Sequence, residues 1–260
     1  MFDVSCRARA ASPRTLPPLL DLAGHPLRWG ILRELAHGDL RVRELTALLD
    51  ERQSLVSYHL GRLRSDGLVK TRRSSFDGRD SYYRADLVRW QELFSQAAAA
   101  LHPALRFDTP PAPRPATTRA RVLFLCTGNS GRSQMAEALL RDVAPDRIAA
   151  FSAGSRPKPV HPDAIRVMGK RGIDIGAAQS KHLSVFAAER FDHVITLCDR
   201  VREVCPDFPG HPDAVHWSVP DPAGEPDGSA AFARVADELT ERIGFFLHVR
   251  ALRPASPERN

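Results

Sequence analysis

Val122-Leu123-Phe124-Leu125-Cys126-Thr127-Gly128-Asn129-Ser130-Gly131-Arg132-Ser133 decides how the C-terminal half of this chain reads. Four apolar, β-forming residues run into a cysteine. Five small or polar residues then separate it from an arginine that opens a helical pattern, which gives strand, loop and helix. Such a loop gathers backbone N–H groups and a helix N-terminus around one point, a cradle for a tetrahedral oxyanion. Thr127, Gly128, Asn129, Ser130, Gly131, Arg132 and Ser133 are the expected oxyanion-binding residues. The positive field of the loop favours the Cys126 thiolate over the thiol, and Arg132 supplies a planar fork of donors for two anion oxygens. Cys126 is the expected nucleophile, attacking the central atom of a bound oxyanion.

Outward from that loop, strand patterns at residues 148–153, 191–198 and 215–222 alternate with helical patterns after Arg132, after His161-Pro162 and from Phe232 to Leu247. The alternation predicts an α/β domain with a parallel sheet whose function lies at the carboxyl ends of its strands. Cys126, Cys198 and Asp221 each fall at such an end and are expected to converge. Cys198 and Cys205 are too far from any further cysteine or histidine to make a usual zinc set, so no metal site is expected. A resolving pair fits them better. Once Cys126 has formed an adduct with an oxidising oxyanion, a second thiol can attack its sulfur, and a third can carry the disulfide onward to a reductant.

The chain has 260 residues, enough for two domains, and four cysteines, too few for a disulfide scaffold. No apolar run approaches the roughly 20 residues of a membrane helix, and no apolar h-region follows the first arginines. A cytoplasmic protein without membrane partners is expected. The net charge of +6 is uneven: residues 1–102 hold 16 Lys and Arg against 12 Asp and Glu, whereas residues 120–260 hold 18 of each. The excess suggests a nucleic acid partner for the N-terminal half.

That half begins with a polar leader, residues 1–15, expected to be disordered, in which Cys6 is an incidental thiol. Leu27, Ile31, Leu32 and Leu35 mark one amphipathic helix, Val42, Leu45, Leu48 and Leu49 a second, and Val56, Leu60 and Leu63 a third ended by Gly67. Two β-like runs around Asp77-Gly78 then predict a hairpin. Three helices and a hairpin are the order of a winged helix-turn-helix domain. Gln53, Ser54, Ser57, Tyr58, Arg62 and Arg64 on the third helix, and Arg72, Arg73 and Arg79 on the hairpin, are the expected DNA contacts.

Gln53-x-x-Val56-Ser57-x-His59-Leu60-x-x-Leu63-x-x-x-Gly67-Leu68-Val69, with the preceding Arg28-x-x-Ile31-Leu32-x-x-Leu35, resembles the metalloid-responsive winged-helix repressors of the ArsR-like family. The resemblance covers about residues 16–100. It implies binding to double-stranded DNA as a homodimer, with a terminal helix such as residues 87–101 in the dimer surface, and it makes His59 structural. Arg41-Val42-Arg43 stands where many arsenite-sensing members carry Cys-Val-Cys. Arginine does not ligate As(III), so the usual thiolate sensor has no counterpart here. The expected organisation is a winged-helix domain at 16–102, a proline-rich linker at 103–119 able to span up to roughly 50 Å at about 3.1 Å per residue, an independently folding domain at 120–250 and a tail at 251–260.

Cys126 to Glu137, Ser152-Ala153-Gly154, Thr196-Leu197-Cys198, Cys205-Pro206, His216-Trp217 and Asp221-Pro222-Ala223-Gly224 are together similar to the arsenate reductases built on the low-molecular-weight tyrosine phosphatase fold. The resemblance implies that Cys126 attacks arsenate held by Arg132, Ser133 and the loop amides. It makes Asp221 the acid for the leaving oxygen. Cys198 would release arsenite by forming a Cys126–Cys198 disulfide, and Cys205 would finish with a Cys198–Cys205 disulfide. No bound cofactor is implied, only an external reductant: thioredoxin, or a low-molecular-weight thiol with a glutaredoxin-like partner. Gly131 replaces a further cysteine of many relatives that is not a relay thiol. Lys181 falls where some relatives have an aspartate that helps hold a potassium ion, and its ammonium is expected to replace that ion. Two other readings stay open: a tyrosine phosphatase fused to a regulator, and a non-catalytic repressor that senses redox state or an oxyanion.

Overall fold

The computed structural model describes residues 17–102, 119–204 and 214–252. The leader with Cys6, the linker except Arg119, Cys205 and the last eight residues lie outside the described residues. By residue contacts the chain groups into two units. Among the described residues, one takes in 17–36, 43–70 and 85–102, the other 37–42, 71–84, 119–204 and 214–252.

The first unit is helical: α1 (Pro18–Ala23), α2 (Pro26–Leu35), α3 (Val42–Leu49), α4 (Gln53–Ser65) and α5 (Leu87–Leu101). His25 opens α2 by accepting from the Leu27 amide ahead of Pro26, and Asp86 caps α5 by accepting from the Arg89 amide. Ile31, Leu45, Val56, Leu60 and Leu63 are all but inaccessible to solvent, each worth about 1.5–3 kcal/mol of burial. These are the inward faces that the 3–4 residue spacing predicts. Gly67 leaves α4 in the left-handed region at φ 73°, which a glycine adopts without strain. His59 is buried beside His25 and has no part in any group of possible metal ligands among the described residues.

The second unit holds two sheets. Strands β1 (Leu40–Arg41), β2 (Val69–Arg73) and β3 (Ser81–Ala85) form the smaller, in the order β1-β3-β2, with Leu40 opposite Tyr83. β2 and β3 are the hairpin expected around Asp77-Gly78, and the Asp77 carboxylate accepts from the Arg79 amide in its turn. The short segment before β1 is bonded into the larger body. The buried Asp39 carboxylate accepts from Arg242 at 2.8 and 3.0 Å and from the Ser218 amide at 2.8 Å. Burial opposes the charge on Asp39, but Arg242 holds its carboxyl below the usual range.

The larger sheet is parallel and runs β5 (Ile148–Gly154), β4 (Ala120–Cys126), β6 (His193–Thr196), β7 (Val215–His216). Around it lie α6 (Arg132–Val143), α7 (Pro162–Lys170), α8 (Asp199–Val204) and α9 (Ser229–Leu252). Val122, Leu123 and Phe124 on the central strand are completely buried, as a strand covered on both faces requires. The chain leaves β4 for β5 on one side and returns to β6 on the other. The carboxyl end of β4, where Cys126 sits, is therefore a topological switch point. β7 stops at His216, short of the predicted strand at 215–222; the Trp217 and Val219 amides still donate to the Thr196 and Leu197 carbonyls at 2.9 and 3.3 Å, and Pro220 and Pro222 have no N–H to carry the ladder further. No helix among the described residues is long and apolar enough to cross a membrane.

Candidate oxyanion site

Cys126 ends β4 opposite Gly154, and the loop 127–131 turns from it into α6. A Cβ on Gly154 would fall 2.7 Å from the Thr127 carbonyl oxygen and 2.8 Å from the Asn129 nitrogen, so only glycine lets β5 back the loop this closely. The carbonyls of Thr127, Gly128 and Ser130 accept from the amides of Arg156, Lys158 and His161 at 2.7–2.9 Å. An anion in the loop is thereby spared their negative ends.

Asn129 fixes the shape of the turn. It adopts φ 44°, and its side-chain amide donates to Ser133 Oγ at 2.9 Å and Ser152 Oγ at 2.8 Å. Its carbonyl accepts from Gln134 Nε2 at 3.2 Å and the Lys181 amide at 2.7 Å. Ser152 in turn donates to Glu137, whose carboxylate also faces Arg141 at 2.6 Å and the Lys181 ammonium at 3.9 Å.

The Cys126 sulfur takes a bond from the Asn129 amide at 3.2 Å and lies 3.0 Å from Ser133 Oγ. Arg132, only 7% exposed, donates to the Val219 carbonyl at 2.9 Å and reaches Asp221 at 3.1 Å. Cys198, at the end of β6, lies 3.2 Å from Thr127 Oγ1. Burial pushes its thiol up, with Arg132 and the Thr127 hydrogen bond opposing. A cavity of about 620 Å³ is lined by Cys126, Thr127, Gly128, Ser130, Gly131, Arg132, Cys198 and Asp221. The three strand ends expected to converge do so.

The remaining expected residues fall elsewhere. Asn129 and Ser133 are fully buried behind the loop and support it rather than line the cavity. Gln53, Ser54, Ser57, Tyr58, Arg62 and Arg64 lie exposed on α4, and Arg73 and Arg79 are exposed on the hairpin. Arg72 does not join them: its guanidinium is bound to the Asp199 carboxylate at 2.7 Å.

Lys158, His161, Arg200 and Phe232, and the hairpin residues Ser75 and Phe76, also line the cavity and were not foreseen. Lys158 was discoverable, because the proline-flanked basic segment Arg156-Pro157-Lys158-Pro159 follows the carboxyl end of a strand in a parallel sheet. Phe232 also accounts for Gly131: a Cβ there would stand 3.1 Å from its ring, which stacks on His161.

Residues 121–254 match the family model described as low molecular weight phosphotyrosine protein phosphatase. Residues 25–71 match bacterial regulatory protein, arsR family. An arsenate reductase of Bacillus cereus (strain 03BB102) is 41% identical over 128 residues, 49% of this chain and 94% of that protein. Arsenate reductase 2 of Bacillus cereus (strain ATCC 10987 / NRS 248) is 43% identical over 125 residues, 48% of this chain and 92% of that protein. A solved structure of an arsenate reductase in the phosphate binding state is 32% identical, covering 50% of this chain and 98% of its own, with a TM-score of 0.43.

Proposed function

This chain belongs to the low molecular weight phosphotyrosine protein phosphatase family, and within it we propose an arsenate reductase joined to an ArsR-like, DNA-binding regulator. The observation that carries the reductase reading is the second thiol. Cys198 shares the cavity of Cys126 and is bonded to the neighbouring Thr127. Hydrolysis of a phosphate ester needs no such thiol, and Ala223-Gly224 follow Asp221-Pro222 where phosphatases place aromatic residues for the substrate ring.

In the first step the Cys126 thiolate attacks arsenic, with Arg132 and the loop amides holding the remaining oxygens. An As–S bond forms, and one oxygen leaves as water on taking a proton from Asp221. The Cys198 thiolate then attacks the Cys126 sulfur. An S–S bond forms, the As–S bond breaks with its electron pair remaining on arsenic, and arsenite leaves. Cys205 attacks Cys198, freeing Cys126, and a dithiol reductant of the thioredoxin class reduces the Cys198–Cys205 disulfide. A relay of this kind works where such a reductant is kept reduced, which points to the cytoplasm.

The Lys181 ammonium beside Glu137 does the work of a bound cation behind the loop. For the regulator, exposed side chains on α4 and the arginines Arg73 and Arg79 support duplex binding. The exposed Trp29, Phe94 and Leu101 support a homodimer through this half.

Reductant-coupled arsenate turnover by wild type, Cys126→Ser, Cys198→Ser and Cys205→Ser, beside hydrolysis of an aryl phosphate, tests the reading. All three variants are expected to lose turnover. Unchanged turnover in Cys198→Ser overturns the relay, and an aryl phosphatase activity that outruns arsenate reduction restores the phosphatase reading. Binding to DNA upstream of the gene, with and without arsenite, tests the regulator. Arg41 and Arg43 predict no release by stoichiometric arsenite.

A further inference from the structure

Asp199 immediately follows Cys198 and begins α8, the helix that leads to Cys205. Its side chain is 0% exposed. Two of the groups that satisfy it lie within 20 residues in sequence, Ser218 Oγ at 2.7 Å and His216 Nε2 at 3.2 Å. The others come from the hairpin more than 120 residues upstream. Arg72 Nη2 lies 2.7 Å from both carboxylate oxygens, and Ser75 donates its amide at 2.7 Å and its hydroxyl at 2.9 Å. Further along α8, Glu203 accepts from Ser74 Oγ at 2.7 Å and from the Tyr82 hydroxyl at 3.1 Å, and Arg200 lies over the Phe76 ring. Burial opposes a charge on Asp199, yet these donors hold its carboxyl well below the usual carboxylate range.

An exposed ion pair would be weak and replaceable. A buried carboxylate whose paired guanidinium is removed is not, because the charge must shift or be protonated. Here the residue that would shift is covalently joined to Cys198. The hairpin also reaches the reaction space directly, since Ser75 and Phe76 line the same cavity as Cys126.

We propose that the hairpin is a working part of the reductase: Arg72 and Ser75, acting through Asp199, are positioning residues that hold Cys198 in line with the Cys126 sulfur. The inference rests on the relay reading of those two thiols. The step it serves is the attack of the Cys198 thiolate on Cys126 sulfur, in which the S–S bond forms and the arsenic–sulfur electron pair leaves with arsenite. Arsenate binding and the first attack use Cys126, Arg132 and the loop, to none of which a described hairpin side chain is hydrogen-bonded; Arg72 comes nearest, through the Ser218 carbonyl at 3.0 Å, next to the Val219 carbonyl that holds Arg132. The two steps are therefore separable.

The test uses the full chain carrying Arg72→Gln, Arg72→Lys, Ser75→Ala or Cys198→Ser, with Arg166→Gln, an exposed arginine of α7, as control. Arsenate KM and kcat are measured with a coupled reductant, and arsenite release is followed after rapid mixing with excess enzyme. Misplacement of a reacting group by about 1 Å lowers a rate by up to about a hundredfold. Arg72→Gln is expected to lose about tenfold or more in kcat and in arsenite release with KM unchanged, and Arg72→Lys to recover part of that loss. Ser75→Ala, which leaves the ion pair in place, is expected to lose about threefold in kcat at the same KM, and it decides the matter if Arg72→Gln does not fold. Wild-type kcat in both Arg72→Gln and Ser75→Ala, with Cys198→Ser inactive, overturns the positioning role alone. Full turnover in Cys198→Ser overturns the relay itself and the positioning role with it.

Discussion

The Cys198 sulfur stands 3.2 Å from the hydroxyl of Thr127, the residue next to the nucleophile, at a site where burial pushes the Cys198 thiol up. The thiolate is the attacking species. A raised value means that the protonated thiol dominates at neutral pH, so the second step accelerates as pH rises. Arsenite release in a single turnover is expected to climb close to tenfold per pH unit and to be rising still above about pH 8.5, the ordinary value for a thiol. Thr127→Val removes a bond that favours the thiolate and is expected to move the profile further up. A plateau reached below neutrality would contradict the assignment.

Asp221 bridges to Arg132 but remains half exposed. Asp221→Asn is expected to slow formation of the Cys126 adduct by about a hundredfold, the usual scale for a lost general acid. Stability is expected to change by less than about 1 kcal/mol, since one partner of the pair is in contact with water. Quenched-flow detection of the adduct and a urea melt measure the two effects separately.

Gly131 leaves room for the Phe232 ring and nothing more. Gly131→Cys is expected to destabilise the domain by about 1–3 kcal/mol through overpacking, and the added change Phe232→Leu to recover most of it. Urea unfolding of both variants decides this. An unaltered midpoint in Gly131→Cys would show that the ring yields freely.

The buried Glu137 carboxylate has the Lys181 ammonium nearby in addition to Arg141. Wild-type turnover is expected to be the same in potassium chloride and choline chloride at equal ionic strength. Lys181→Asp, which replaces a cation with an anion at the same place, is expected to gain a severalfold response to potassium. A potassium-specific stimulation of the wild type would sink the idea.

The buried Asp39 carboxylate accepts two hydrogen bonds from Arg242, whose guanidinium also holds Glu238. Asp39→Ala leaves the guanidinium with Glu238 as its remaining carboxylate partner and is expected to destabilise the protein by about 1–3 kcal/mol, the scale of lost hydrogen bonds to a charged group. The joint replacement Asp39→Leu with Arg242→Met is expected to be far milder. Chemical denaturation of the single and double variants tests the pair.

The site was legible where chemistry is local. Cys126 to Ser133 are contiguous, so their residue types alone describe an anion loop, and the strand-end rule brought Cys198 and Asp221 to it. The inward faces of α2 and α4 followed from periodicity, and the helix at 87–101 from the family resemblance. What stayed hidden depends on contacts between distant positions. Arg72 looked like one more basic hairpin residue because its partner Asp199 lies 127 residues away. The place of Gly131 is set by a ring on α9, a hundred residues downstream. Asp39 and Ser75 carry no local pattern that marks them as ligands of buried groups.

The donors of Arg72 are already committed, Nη2 to both oxygens of Asp199 and Nε to the Ser218 carbonyl. Any duplex phosphate that recruits Arg72 has to take it from Asp199, so occupancy of the hairpin by DNA and retention of the carboxylate's partner oppose each other. Thermodynamic linkage makes that opposition reciprocal. Whatever factor the intact Arg72–Asp199 pair subtracts from the DNA affinity of the hairpin, bound DNA subtracts from the stability of the pair.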